Sequence, residues 1–136
     1  MKIEDAKFLV VDDDKVMMMF VVNMLNRLGA GEVREAANGK SALAMIESCR
    51  PDIVLSDIHM SPMDGIDFVR KLRAHPVAEL RKTPVLIMSA DSGTDMLNEA
   101  VPLGIAGYIV KPPNVVAMKT KLEHILKFRE TRSVTA

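Results

Sequence analysis

The sequence predicts an α/β protein built on a doubly wound, five-stranded parallel sheet with helices on both faces. Three observations predict it. Short apolar runs alternate with helical patterns five times along 136 residues, and strict strand–helix alternation implies parallel strands joined by crossover helices. The first, third and fourth runs are continuously apolar, as strands buried on both faces are. The length is the usual size of one domain, and a composition 49% hydrophobic is enough for one core.

Phe8–Val11 reads as the first strand. Asp14 is a suitable N-cap for the first helix, and Met17, Val21, Met24 and Leu28 fall at helical spacing on one stripe. Gly29 and Gly31 stop that helix. Glu32–Ala36 reads as a weaker strand at an edge. Asn38-Gly39 marks a turn; Ala42, Met45, Ile46 and Cys49 then outline a second helix ended by Pro51. Asp52–Ser56 is the third strand. Asp64-Gly65 opens a third helix with Ile66, Val69 and Leu72 inward, closed by His75-Pro76. Thr83–Met88 is the fourth strand. Thr94 to Val101 predicts a fourth helix, short or irregular because Pro102 interrupts its last turn. Gly104 and Gly107 bracket the return to a fifth strand, Tyr108–Val110. Val115, Met118, Leu122 and Ile125 mark the last helix. The core is expected over about residues 6–128, with 129–136 a frayed polar tail.

Composition excludes several classes. Lys+Arg and Asp+Glu are 18 each, so no bulk charge draws the chain to nucleic acid or an acidic membrane. No apolar run approaches the ~20 residues that span a bilayer, and the charged start MKIEDAKF lacks the centre of a signal peptide. Cys49 is the single cysteine, which rules out an intrachain disulfide and a cysteine zinc site. His59, His75 and His124 are too scattered for a histidine metal site. A cytoplasmic setting is expected. Met17-Met18-Met19 offers the polarizable surface of a soft binding site, but Met17 lies on the stripe, which assigns the run to core filling. The basic residues of the last helix are diluted by acids and read as a solvated face.

Chemistry gathers where the strands end. FLVVDDD ends in acids, PDIVLSD ends at Asp57, VLIMS ends at Ser89, and GYIVKPP carries Lys111. Open α/β sheets place ligands outside the carboxyl ends of their strands. Acids, a hydroxyl and a lysine there suggest a Mg²⁺-assisted phosphoryl site. Helix capping explains Asp14, but not Asp12, Asp13 and the distant Asp57. Asp12 and Asp14 also have the spacing of an aspartate-nucleophile phosphatase. That reading leaves Asp57 and Met63-Asp64-Gly65 without a role, and 136 residues leave little room for a substrate cap.

Taken in order, Asp12-Asp13, Asn38-Gly39, Asp57, Met63-Asp64-Gly65, Ser89-Ala90, and Tyr108 with Lys111-Pro112 make the chain resemble the receiver domains of two-component response regulators. It is similar in length to their single-domain, CheY-like type. The resemblance implies a flavodoxin-like strand order, 2-1-3-4-5, which would bring Asp12 and Asp13 beside Asp57. It implies Asp57 as phosphoacceptor, with Lys111 and Ser89 as the groups that meet the phosphoryl oxygens. It implies Mg²⁺, with Mn²⁺ able to substitute, on Asp13, Asp57 and the backbone carbonyl of His59, with Asp12 acting mainly through water. Ser89 and Tyr108 would form the switch that reshapes the face of helix four, strand five and helix five. A cis Lys111–Pro112 bond is expected. His59 and Asp91, two residues past Asp57 and Ser89, occupy positions that tune phosphoryl lifetime in the family. Ser61 stands where the family has a proline, and Pro62 follows it.

The implied function is a two-component signalling module. Its partners would be a histidine kinase or histidine phosphotransfer protein and a downstream protein, with no nucleic acid or membrane. It would be a monomer or weak dimer, catalysing its own aspartyl phosphorylation and dephosphorylation but turning over no external substrate. The alternative is a degenerate receiver that binds partners without phosphorylation.

Overall fold

The computed structural model of the chain describes residues 1–90 and 95–129. A five-stranded sheet runs β2-β1-β3-β4-β5, and every neighbouring pair is parallel. Its strands are β1 (Lys7–Val11), β2 (Glu32–Ala36), β3 (Ile53–Asp57), β4 (Val85–Ser89) and β5 (Gly107–Val110). The helices are α1 (Lys15–Arg27), α2 (Gly39–Cys49), α3 (Gly65–Arg73), α4 (Asp95–Ala100) and α5 (Val115–Lys127). The predicted fold class and strand order are those observed.

Successive strand residues point to opposite faces, so the apolar strands feed two cores. Phe8 and Val10 of β1 join Met18, Val21 and Leu25 of α1 and Met118, Leu122 and Leu126 of α5 on one face. Leu9 and Val11 join Ala42 and Ile46 of α2 and Ile66, Phe68 and Val69 of α3 on the other. Burial of β3 and β4 at every position follows from cover on both faces.

Side-chain caps start the helices as their sequences require. Asp14 accepts from the amides of Val16 and Met17, Asn38 from Ser41, Asp64 from Asp67 and Asn114 from Ala117. Each satisfies amides that have no partner inside the helix. Gly29 takes a left-handed φ of 85° after α1, a conformation glycine adopts without a Cβ clash.

Several boundaries differ from expectation. The buried stripe of α1 is Met18, Val21, Met24 and Leu25; Met17 and Leu28 are half-buried at its margins. The continuous apolar run from Val16 to Val22 fits two adjacent stripes, and docking on the sheet selects one. Met45 and Cys49 of α2 are also half-buried, and Val115 of α5 is exposed. β3 begins one residue later than expected, so Asp57 is its last member. Asp52 is buried below it, where its carboxylate accepts from the Lys7 amide at 2.8 Å. β4 likewise runs later, through Ser89, and Thr83 turns its hydroxyl to the Leu80 carbonyl. α4 is short, and a 3-10 turn, Val101–Leu103, follows it with Pro102 inside. A 3-10 turn at Ile3–Asp5 buries Ile3, which extends the core before residue 6. A single helical turn, Ala78–Arg81, precedes β4. Of the expected tail, Arg129 is held near Asp52 at 3.8 Å, and residues 130–136 lie outside those described.

Candidate functional site

Strand order places β1 and β3 side by side, with Val11 opposite Ser56. Asp12 and Asp13 follow β1 directly, Asp57 ends β3, Ser89 ends β4, and Lys111 follows β5. All five therefore sit at one edge of the sheet. Oxygens of Asp12, Asp13 and Asp57 lie within 4.8 Å of one another. Asp12 and Asp57 are buried and Asp13 is exposed, so the cluster opens to solvent on the Asp13 side.

The carboxylates are held from below. Asp12 accepts from the Asp14 amide at 2.9 Å with one oxygen and from the Lys111 ammonium at 3.0 Å with the other. Lys111 reaches Asp57 Oδ1 at 3.2 Å as well. The His59 amide also points at that oxygen, at 3.4 Å. The Lys111 backbone amide donates to the Ser89 carbonyl at 2.8 Å, which ties the lysine to β4. Lys111–Pro112 is cis, as expected, and Ser61–Pro62 in the loop after β3 is cis too.

Gly65 shows how closely that loop approaches the site. A Cβ there would stand 2.5 Å from the Asp57 carbonyl oxygen and 2.8 Å from Ile58 Cα. The Gly65 amide donates to the Ile58 carbonyl at 2.8 Å. Glycine in Met63-Asp64-Gly65 is thus a demand of space: the start of α3 rests on the backbone that presents Asp57.

Burial pushes the Asp57 carboxyl above its usual range, Asp12 pushes it the same way, and Lys111 opposes without cancelling. Burial pulls the Lys111 ammonium down, but its hydrogen bond to Asp12 and the charges of both carboxylates raise it overall. Lys111 pairs with two of the three clustered carboxylates, Asp12 and Asp57, so one ammonium faces three acids and two negative charges stand uncompensated when all are ionised. A divalent cation balances that charge, and an all-oxygen donor set open on one side suits Mg²⁺, which keeps water and phosphate oxygens in its octahedron. The residues present fit the metal.

The other expected residues lie nearby. Ser89 is buried at the end of β4. Tyr108, opposite Ile87 in β5, is 43% exposed, with the Lys121 ammonium 5.6 Å from its ring centre. The side chain of His59 is exposed. Asp91 lies outside the described residues. Sequence reasoning missed the Lys111–Asp12 bond and the second cis proline. Neither leaves a local mark, because the first joins positions 99 residues apart and the second replaces one X–Pro isomer with another.

Comparison with known proteins bears on this edge. A family profile described as "Response regulator receiver domain" matches residues 8–123. Chemotaxis protein CheY-3 of Vibrio cholerae serotype O1 is 37% identical over 124 residues, covering 91% of this chain and 94% of that protein. Chemotaxis protein CheY of Pseudomonas aeruginosa is 37% identical over 121 residues, covering 89% and 96%. Among solved structures, Vibrio cholerae chemotaxis protein CheY4 superposes with a TM-score of 0.81 at 32% identity, covering 89% of this chain and 98% of that one. The signal receiver domain of a Syntrophus aciditrophicus signal transduction histidine kinase gives 0.81 at 26% identity, covering 96% and 98%. Sheet order, acidic cluster and sequence agree in making this chain a member of the response regulator receiver family, of the CheY-like kind used in two-component signalling.

Proposed function

We propose that Asp57 accepts a phosphoryl group and that this modification is the signal the protein carries. The observation that supports it most is the buried Asp57 carboxylate, 3.2 Å from Lys111 and clustered with Asp12 and Asp13. In the step, an Asp57 oxygen attacks phosphorus and an acyl phosphate forms. The bond from phosphorus to the donor atom breaks, and its electron pair leaves with the donor. Catalysis of such transfers is mostly positioning and charge neutralisation. Asp13, Asp57 and the His59 carbonyl would hold Mg²⁺, with Asp12 acting through water; bound there, the ion offsets the charge of the phosphoryl oxygens. Lys111 supplies a compact positive charge from the opposite side, and the Ser89 hydroxyl donates to a phosphoryl oxygen.

The donor is a histidine kinase or histidine phosphotransfer protein, as membership in the family implies. The output is a rearrangement in which Ser89 turns to the phosphoryl group and Tyr108, now exposed, turns inward. The face of α4, β5 and α5 then meets a downstream protein. His59 and Asp91 flank the path of the hydrolytic water and set the lifetime of the acyl phosphate. The protein turns over no substrate beyond its own aspartyl phosphate.

The test is intact mass after incubation with acetyl phosphate and Mg²⁺, beside Asp57→Asn and a metal-free control. A labile phosphoryl adduct on the wild type alone, and only with metal, is expected. No adduct with acetyl phosphate or with a kinase would sink the proposal in favour of a degenerate receiver that binds partners unmodified.

A further inference from the structure

Arg73, the last residue of α3, directs its guanidinium at neutral acceptors. Nε donates to the Leu103 carbonyl at 2.8 Å. Nη1 donates to those of Arg81 at 2.9 Å and Thr83 at 2.8 Å. Nη2 donates to that of Gly104 at 3.1 Å. Among the described residues it forms no ion pair, and burial lowers its pKa, as befits a cation held by dipoles.

Two of the acceptors stand at the ends of short helices. Arg81 ends the one-turn helix before β4, and Leu103 ends the 3-10 turn after α4, where Gly104 takes a left-handed φ of 73°. Helices this short are unstable alone, and their last carbonyls have no internal donors. A cation at two such ends satisfies the carbonyls and meets the negative pole of each. The segments so tied lead into β4 and β5. Those strands carry Ser89 and Tyr108, the pair to which the proposed function assigns switching.

We propose that Arg73 is a positioning residue for the switch: it fixes the segments leading into β4 and β5 relative to each other, so that a change at Ser89 passes to Tyr108 instead of being absorbed by sliding of the α4–β5 loop. Lysine cannot substitute, because one ammonium lacks the planar fork that serves four carbonyls in two segments. The proposal rests on the reading of Ser89 and Tyr108 given above.

The test compares wild type with Arg73→Lys and Arg73→Gln. Tyr108 is the sole tyrosine and there is no tryptophan, so tyrosine emission reports that residue alone. In the unphosphorylated variants, amides at residues 81–83, 101 and 103–107 should exchange hydrogen at least tenfold faster, with β1 and β3 unchanged. Phosphoryl uptake should stay within twofold of wild type. The emission change on phosphorylation should shrink at least threefold. A full-sized emission change despite loosened loops would reduce Arg73 to a structural tie, and unchanged exchange would remove even that role. Should Arg73→Gln fail to fold, Arg73→Lys, which keeps charge and stem, decides. If the wild type takes up no phosphoryl group, the proposed function fails separately, and exchange alone decides whether Arg73 holds the two segments together.

Discussion

Asp57 is a carboxylate kept where ionisation is unfavourable. Its pKa is raised by burial and by Asp12, so the folded metal-free protein binds that proton more tightly than the unfolded chain. The stability that this carboxyl contributes is then greatest below the ordinary carboxylate value of 3.8 and is lost as pH rises through the raised folded value. Asp57→Asn should therefore stabilise the metal-free protein at neutral pH, by about 0.5–2 kcal/mol, and the gain should vanish near pH 3.5. Urea unfolding at both pH values checks it; a destabilised variant at neutral pH would mean that Lys111 compensates Asp57 fully. The residues of this site were legible in the sequence because each acid, hydroxyl and lysine stands at the end of an apolar run. Arg73 was not legible. Its partners are backbone carbonyls, which every residue has, so nothing in the sequence marks them.

At the scale of elements, the junction between β3 and α3 has no spare space. Gly65→Ala would drive a Cβ against the Asp57 carbonyl oxygen and Ile58 Cα, backbone atoms that cannot rotate away. A loss of about 1–3 kcal/mol, the usual cost of overpacking, is expected in urea unfolding. Phosphoryl uptake by the folded fraction should also fall, because the same backbone aims Asp57. Asp64→Ala, which removes only the cap of α3, should cost about 1 kcal/mol and leave uptake nearly intact. A larger loss of uptake in Asp64→Ala than in Gly65→Ala would reverse this assignment. Element type and order were readable from periodicity, and the caps at Asp14 and Asp64 were readable from residue type. The register of α1 was not, because Met17 and Met18 are chemically alike and only the sheet beneath distinguishes them.

For the whole molecule, a metal held at the acidic edge would couple folding to its binding. A ligand that binds only the folded state adds about 2.7 kcal/mol at a hundredfold excess over its Kd. The thermal midpoint of wild type should climb with the logarithm of Mg²⁺ concentration, and Asp13→Asn should flatten that slope. Scanning calorimetry over a Mg²⁺ series checks it; parallel slopes would place the metal away from Asp13. Strand order could not be derived from periodicity, which is the same for any arrangement of five strands. It followed from the resemblance carried by the motifs at the strand ends.

That order also sets a timetable for synthesis. The proposed acceptor belongs to the third strand and its lysine follows the fifth, so a ribosome makes Asp57 well before Lys111. At ordinary elongation rates the interval is on the order of 3–10 s. A nascent chain in that interval has the aspartate but neither the ammonium beside it nor the fifth strand that carries Tyr108. On the proposed function it should be deaf to its donor until the last strand docks, so a half-made copy would not drain phosphoryl groups from finished ones.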